Sequence, residues 1–155
     1  MSCAVPGRMS PGPKVEIKRA RFSDAEEFLR LEAKCFGIRY NPITVYYWRP
    51  IIDHCWAFEA VSNRTIIGGI IAIPTRKGQI YINSLFVDGR HRRSGIGGRL
   101  LSRVLRLKPT HGFVLDVKIE RAELRRYYQA RGFKEARVER SYYGDESARL
   151  IMSRR

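Results

Sequence analysis

Apolar and polar residues alternate from Val15 to Ala20 (VEIKRA), the period of a half-buried strand. The period then lengthens. Ala25, Phe28, Leu29, Glu32 and Phe36 fall at helical spacing with only Glu32 polar, and Ser23-Asp24-Ala25-Glu26 has the spacing of a capping box. A helix over about residues 24–36 is predicted, stopped near Gly37. Asn41-Pro42 opens a second helical segment from Thr44 to His54. Three strand-like runs follow: Trp56 to Val61, Thr65 to Pro74 and Gln79 to Val87. The turns between them are short, which implies an antiparallel meander.

After Val87 the period changes again. Ile96, Leu100, Leu101, Val104 and Leu105 make an apolar helical face that Pro109 ends. Gly112 to Lys118 (GFVLDVK) is a short apolar strand. Leu124, Tyr127, Tyr128 and Arg131 line one face of another helix, ended by Gly132. Phe133 to Tyr143 and Ala148 to Arg154 read as two closing strands around the turn Gly144-Asp145-Glu146. The predicted order is β-α-α-β-β-β-α-β-α-β-β, one α/β (α+β) domain over residues 15–155 without internal repeat. Residues 1–14 (MSCAVPGRMSPGPK) are rich in Pro and Gly, lack the apolar stretch of a secretory signal, and read as a flexible arm.

Composition narrows the class. Hydrophobic residues are 44% of the chain, which argues against disorder even at a net charge of +15. No apolar run approaches the roughly 18–20 residues that cross a bilayer, so no membrane partner is expected. The three cysteines, Cys3, Cys35 and Cys55, have no CxxC or Cys/His ligand spacing. Neither a disulfide framework nor a metal site is indicated, and a reducing, cytoplasmic setting is the expectation. The charge is uneven. Residues 23–89 hold seven basic and seven acidic side chains, whereas residues 90–108 hold seven basic and none acidic. Such a block favours an anionic partner, an RNA or ribosome surface among them.

That block contains Arg92-Arg93-Ser94-Gly95-Ile96-Gly97-Gly98-Arg99, directly after a strand and opening an amphipathic helix. Glycines let backbone approach a ligand closely, a helix start presents free N–H groups, and arginines suit phosphate oxygens. Together they make a pyrophosphate cradle. A Rossmann loop would need G-x-G-x-x-G after the first strand of a βαβ unit, and a Walker loop would need GK[ST]; neither occurs.

The segment INSLFVDGRHRRSGIGGRLL resembles the acetyl-CoA signature of the GNAT acetyltransferases, whose pattern Arg/Gln-x-x-Gly-x-Gly/Ala is met by Arg92, Gly95 and Gly97. The stretch VLDVKIERAELRRYYQARGFKEARVERSYY resembles the same family's second half, and the ending SYYGDESARLIM resembles its protein N-terminal acetyltransferases. The resemblance implies the GNAT fold: one mixed, mainly antiparallel sheet flanked by helices and splayed between its two central strands.

It also implies roles. Leu85, Phe86 and Val87 would hold the pantetheine arm of acetyl-CoA through their backbone. Amides from Arg93 through Ser94, Gly95, Ile96 and Gly97 to Gly98 would take the pyrophosphate. Asp116, where the alanine-acetyltransferase branch carries a glutamate, would act as base, directly or through water. Tyr128 would protonate the leaving thiolate. Tyr81 would lie near the acceptor amine, and Tyr142 and Tyr143 would shape the acceptor pocket. Arg121 stands where family members carry an Asn. The expected reaction is direct acetyl transfer in a ternary complex to the α-amine of a protein N-terminus. A small-molecule amine or a lysine side chain is the alternative acceptor. A basic RNA- or ribosome-binding module with a vestigial acetyl-CoA loop is the alternative of a different class.

Overall fold

The computed structural model describes residues 14–145 and 147–155. Apart from Lys14, the expected arm lies outside them, as does Glu146 of the expected turn. The elements are β1 (Glu16–Arg19), α1 (Ala25–Phe36), α2 (Thr44–His54), β2 (Trp56–Ser62), β3 (Thr65–Pro74), β4 (Ile80–Val87), α3 (Ile96–Leu105), β5 (Phe113–Lys118), α4 (Ala122–Gln129), β6 (Lys134–Glu139) and β7 (Arg149–Arg154). The predicted order holds throughout. The strands form one seven-stranded sheet in the order β1-β2-β3-β4-β5-β7-β6. Every neighbouring pair is antiparallel except β4 and β5.

Helices cover both faces of the sheet. Ile96, Leu100, Leu101 and Val104 of α3 pack with Ile80, Ile82, Leu115, Val117, Tyr128 and Met152 on one face. Phe28, Leu29 and Leu31 of α1 and Ile52 of α2 pack with Ile71 and Phe86 on the other. Covering on both sides explains why β3 reads TIIGGIIAIP, a nearly continuous apolar run rather than an alternation. Gly69 is required there. A Cβ added to it would sit 2.6 Å from the Phe86 ring, which meets Phe28 edge-to-face at 5.0 Å.

Two features shape the centre of the sheet. The parallel ladder between β4 and β5 is confined to Ile80 opposite Phe113 and Tyr81 opposite Val114, so the strands part beyond Tyr81. In β4, Ile82 pairs with Ala72 and Ser84 with Ile71, which leaves Asn83 as an extra residue. This bulge reverses the alternation. Ile80 and Ile82 face the α3 side, whereas past the bulge Phe86 faces α1 and Leu85 and Val87 lean toward α3.

Three local expectations are corrected. The capping box is not Ser23 with Glu26. The Arg21 N–H donates to Asp24 Oδ2 at 3.2 Å, and Glu26 instead pairs with Arg30 at 2.8 Å one turn on. Phe36 does not join the buried face and stays 54% exposed, because α1 ends there and Gly37 turns left-handed (φ 67°). The sixth strand stops at Glu139, four residues short of Tyr143, so Tyr142 and Tyr143 stand on the turn between β6 and β7.

Candidate active site

Asp116 lies on β5 two residues beyond Val114, which pairs with Tyr81, so alternation places both side chains on one face beside the gap. The Tyr81 hydroxyl donates to Asp116 Oδ1. The Tyr143 hydroxyl donates to the same oxygen at 3.0 Å and lies 3.1 Å from the Tyr81 hydroxyl. On the other carboxylate oxygen, Arg149 Nη1 stands 3.6 Å from Oδ2, with its guanidinium 4.8 Å above the Tyr143 ring. Only 6% of the Asp116 side chain is exposed, and 17% of Arg149. Burial pushes the Tyr81 phenol far above its ordinary value, and the bond to Asp116 adds to the rise, so Tyr81 is a proton donor throughout the neutral range. Burial raises the Tyr143 phenol as well, opposed by its contact with Tyr81.

Tyr128 approaches the gap from the opposite face. It is buried in the cluster under α3, edge-to-face with Tyr127 at 5.1 Å and Phe133 at 5.7 Å. Burial raises its phenol well above the usual range, with Tyr127 adding and Arg131 opposing. The neighbouring Tyr127 hydroxyl is buried without a partner among the described residues and faces Gly97. A carboxylate flanked by hydroxyl groups thus stands on one side of the sheet and a protonated phenol on the other, both where β4 and β5 part.

The loop after β4 is tied down at its start. Asp88 pairs with Lys34 of α1 at 3.2 Å and accepts from the Arg90 N–H at 3.2 Å. That N–H, with Lys34 assisting, holds its carboxyl below the usual range. Arg92 Nε reaches back to the Val87 carbonyl at 3.4 Å, Arg93 takes a positive φ of 59°, and the Ser94 hydroxyl donates to the His91 carbonyl. Gly95 opens α3 in the left-handed region at φ 78°, where a side chain would be strained. No side chain caps α3 and no acidic residue occupies its first turn. The first amides of α3 are therefore unclaimed by side chains and meet the positive end of the helix dipole.

The model of the Acetyltransferase (GNAT) family matches residues 25–133, more than half of the chain. This chain belongs to the GNAT family. Among curated proteins it is similar to the N-alpha-acetyltransferase of Sulfurisphaera tokodaii, 24% identical, with 92% of this chain and 93% of that one covered. Its fold is similar to the ribosomal-protein-S18-alanine N-acetyltransferase of Escherichia coli (TM-score 0.77, 18% identity, 91% and 93% covered). It is also similar to Ard1 of Thermoplasma volcanium (0.75, 23%, 90% and 96%). A third likeness is to Arabidopsis thaliana Naa50 in complex with the bisubstrate analogue CoA-Ac-MVNAL (0.71, 21%, 89% and 97%).

The GNAT family uses acetyl-CoA, and the residues of this loop would fit that ligand: they offer free amides, a glycine with open space around it and no acidic residue in the first turn of α3. The structure brings Asp116, Tyr81 and Tyr143 together, and it sets Tyr142 with Tyr81, Val114 and Ile151 around a cavity of about 520 Å³. Arg121 precedes α4 and pairs with Glu123 at 2.6 Å, so its charge is already engaged. Burial raises the Cys35 and Cys55 thiols, as for packed residues rather than reactive ones. Among the described residues no cluster of His, Cys, Asp or Glu is placed to hold a metal, and no helix is long and apolar enough to cross a membrane.

Two residues of this GNAT site had no sequence signal assigned to them. Arg149 is a half-buried basic residue opening the apolar run Leu150-Ile151-Met152 of the closing strand, and that position is the signal that could have found it. Asp88 is the only carboxylate beside the basic block, and its role as anchor depends on Lys34, 54 residues away.

Proposed function

We propose that this GNAT protein transfers the acetyl group of acetyl-CoA to the α-amine of a protein N-terminus, in one step within a ternary complex and in a reducing, cytoplasmic setting. The observation that carries the reading is the division of labour across the sheet. Asp116 and its two tyrosine hydroxyls stand on one face, and Tyr128 with the acetyl-CoA loop on the other. The name of the Sulfurisphaera relative and the peptide-bearing analogue bound by the Arabidopsis neighbour support the α-amine as acceptor.

In this reading the amide N–H groups at the start of α3 hold the diphosphate, and the backbone of Leu85, Phe86 and Val87, on the edge that β5 leaves open, holds the pantetheine arm. The acceptor enters past Tyr142 and Tyr143. Asp116 accepts the proton that the amine must lose, directly or through a water, while Tyr81 and Tyr143 fix its Oδ1 and Arg149 its Oδ2. The amine nitrogen forms its bond to the thioester carbon and the carbon–sulfur bond breaks. Tyr128 returns a proton to the departing thiolate.

The test is acetylation of peptides beginning Ser, Ala, Thr, Gly and Met, with the α-amine free or blocked, read by intact mass. Product that requires the free α-amine supports the reading. Product on blocked peptides that contain lysine, or on small amines alone, overturns it.

A further inference from the structure

The outward face of α3 carries charge that acetyl transfer leaves unused. Arg99, Ser102 and Arg103 of α3, Arg106 at its C-terminal cap, and Arg131 just past α4 line a cleft of about 530 Å³ that begins at Gly95 and Gly98. No carboxylate lines it, and none of these four arginines forms an ion pair among the described residues. Three of the guanidinium groups are nevertheless held in place. Arg99 Nη2 donates to the Val15 carbonyl at 2.9 Å, and Arg103 lies 5.2 Å from the Phe58 ring centre. Arg131 lies 3.5 Å over the Tyr127 ring and donates to the Tyr127 carbonyl at 2.9 Å. Fixed cations without an anionic partner are prepared for an anion from outside, since the ordering entropy is already lost.

The spread of the charge selects the anion. Arg99 and Arg106 are separated by about 10 Å of helix at 1.5 Å per residue. One phosphate group is satisfied by a bidentate guanidinium or two. Three guanidiniums along that length, with Arg131 across the cleft as the fourth, match phosphates in series, as in a polynucleotide strand. We propose that this face of α3 binds the sugar–phosphate backbone of RNA. The preference for RNA among polyanions rests on the N-terminal acceptor reading, because nascent N-termini emerge beside ribosomal RNA. The competing occupant is the 3′-phosphate of CoA, whose diphosphate the same helix start receives.

The experiment measures binding of a fluorescent single-stranded RNA oligonucleotide by anisotropy at rising salt, for the full chain and for Arg103→Gln/Arg106→Gln. Counterion release gives a slope of log affinity on log salt of about −0.7 per phosphate contact, so four contacts predict about −3. The double variant is expected to flatten the slope by about 1.4 and to bind at least tenfold more weakly at low salt. Its KM for acetyl-CoA is expected to change less than twofold. Arg106→Gln alone, at the exposed end of α3, gives half the change in slope without touching the Phe58 contact. An unchanged slope in both variants would overturn the proposal. So would a double variant whose KM rises for acetyl-CoA but not for acetyl-dephospho-CoA, together with displacement of RNA by CoA but not by dephospho-CoA, since the cleft would then serve the 3′-phosphate. If peptides are not acetylated while the RNA slope behaves as stated, the acceptor reading falls and the cleft stands.

Discussion

Replacing Asp116 with Asn separates the charge of the carboxylate from its shape. The Asn oxygen can still accept from Tyr81 and from Tyr143, so the hydroxyl cluster keeps its geometry. What disappears is the negative charge and the capacity to take a proton. Loss of a general base costs about 10²–10⁴ in rate, which is roughly 2.7–5.5 kcal/mol of barrier. Stability also changes, because Arg149 loses its counter-charge. A charge-assisted bond of this kind is worth about 1.5–3 kcal/mol. The 3.6 Å separation and the remaining stacking of Arg149 on Tyr143 place this pair at the low end of that range. At about 2–4 °C per kcal/mol for a domain of this size, the melting temperature should fall by roughly 3–6 °C. The variant is therefore folded at 25 °C, and a rate measured there reports chemistry. The assay is single-turnover acetylation of a saturating peptide, with thermal unfolding run beside it. A rate within threefold of the parent enzyme, with the pH–rate profile unmoved, would remove Asp116 from its role as base. A fall in melting temperature beyond about 12 °C would mean instead that the ion pair is far stronger than its geometry indicates.

The two adjacent tyrosines of α4 should part company. Tyr128→Phe is expected to lower kcat by 10- to 100-fold with the KM for peptide unchanged, whereas Tyr127→Phe, which removes a buried hydroxyl that has no partner, should keep full activity and gain up to about 1 kcal/mol in denaturant unfolding. Equal losses in both would refute the assignment. Glu59 is fully buried on β2, and burial raises its carboxyl above the ordinary value despite Lys18 at 3.2 Å. For an acid raised in the folded state the penalty is absent below the unfolded value near 4.5 and grows as pH climbs through the folded value. Glu59→Gln should thus unfold at a higher temperature than the parent at pH 7, with the two curves converging near pH 4; convergence at neutral pH would refute it. Gly95→Ala meets no atom within 4 Å, so its cost is backbone strain alone, about 1–2 kcal/mol at φ 78°. Calorimetric titration with CoA should show weaker binding, and unchanged affinity would detach the loop from its ligand.

The elements were readable because their signals are local. The change of period after Val87, the glycines closing α1 and α4 and the short turns of the meander are each contained in a few neighbouring residues. The glycine-rich turn that opens α3 was readable for the same reason. Arg149 was not, since its meaning comes from β7 lying against β5 and from the turn that carries Tyr143 over it. Asp116 could be singled out as a carboxylate in an apolar strand, but its union with Tyr81 depends on how β4 and β5 pair, and that pairing lasts only two residues. Tyr142 and Tyr143 were found as residues but given the wrong element, because strand propensity carried through Arg140 and Ser141 where the chain in fact turns, Ser141 adopting φ 53°. Ser23 met the spacing rule for a cap, yet Asp24, one residue on, has Arg21 as a partner and displaces it.

The extra residue in β4 makes chain length, rather than residue type, the quantity that strand cannot vary. Asn83 shifts the reading frame of the alternation by one, so a single strand turns Tyr81 toward Asp116 on one face and Leu85 and Val87 toward α3 on the other. Losing that one residue would leave every later side chain chemically intact and pointing to the wrong face of the sheet, and it would deliver the glycine-rich loop to the face that α1 already occupies. A library of single-residue deletions through β3 and β4 should therefore show a narrow trough of inactivity at residues 82–84, where substitutions that conserve length survive.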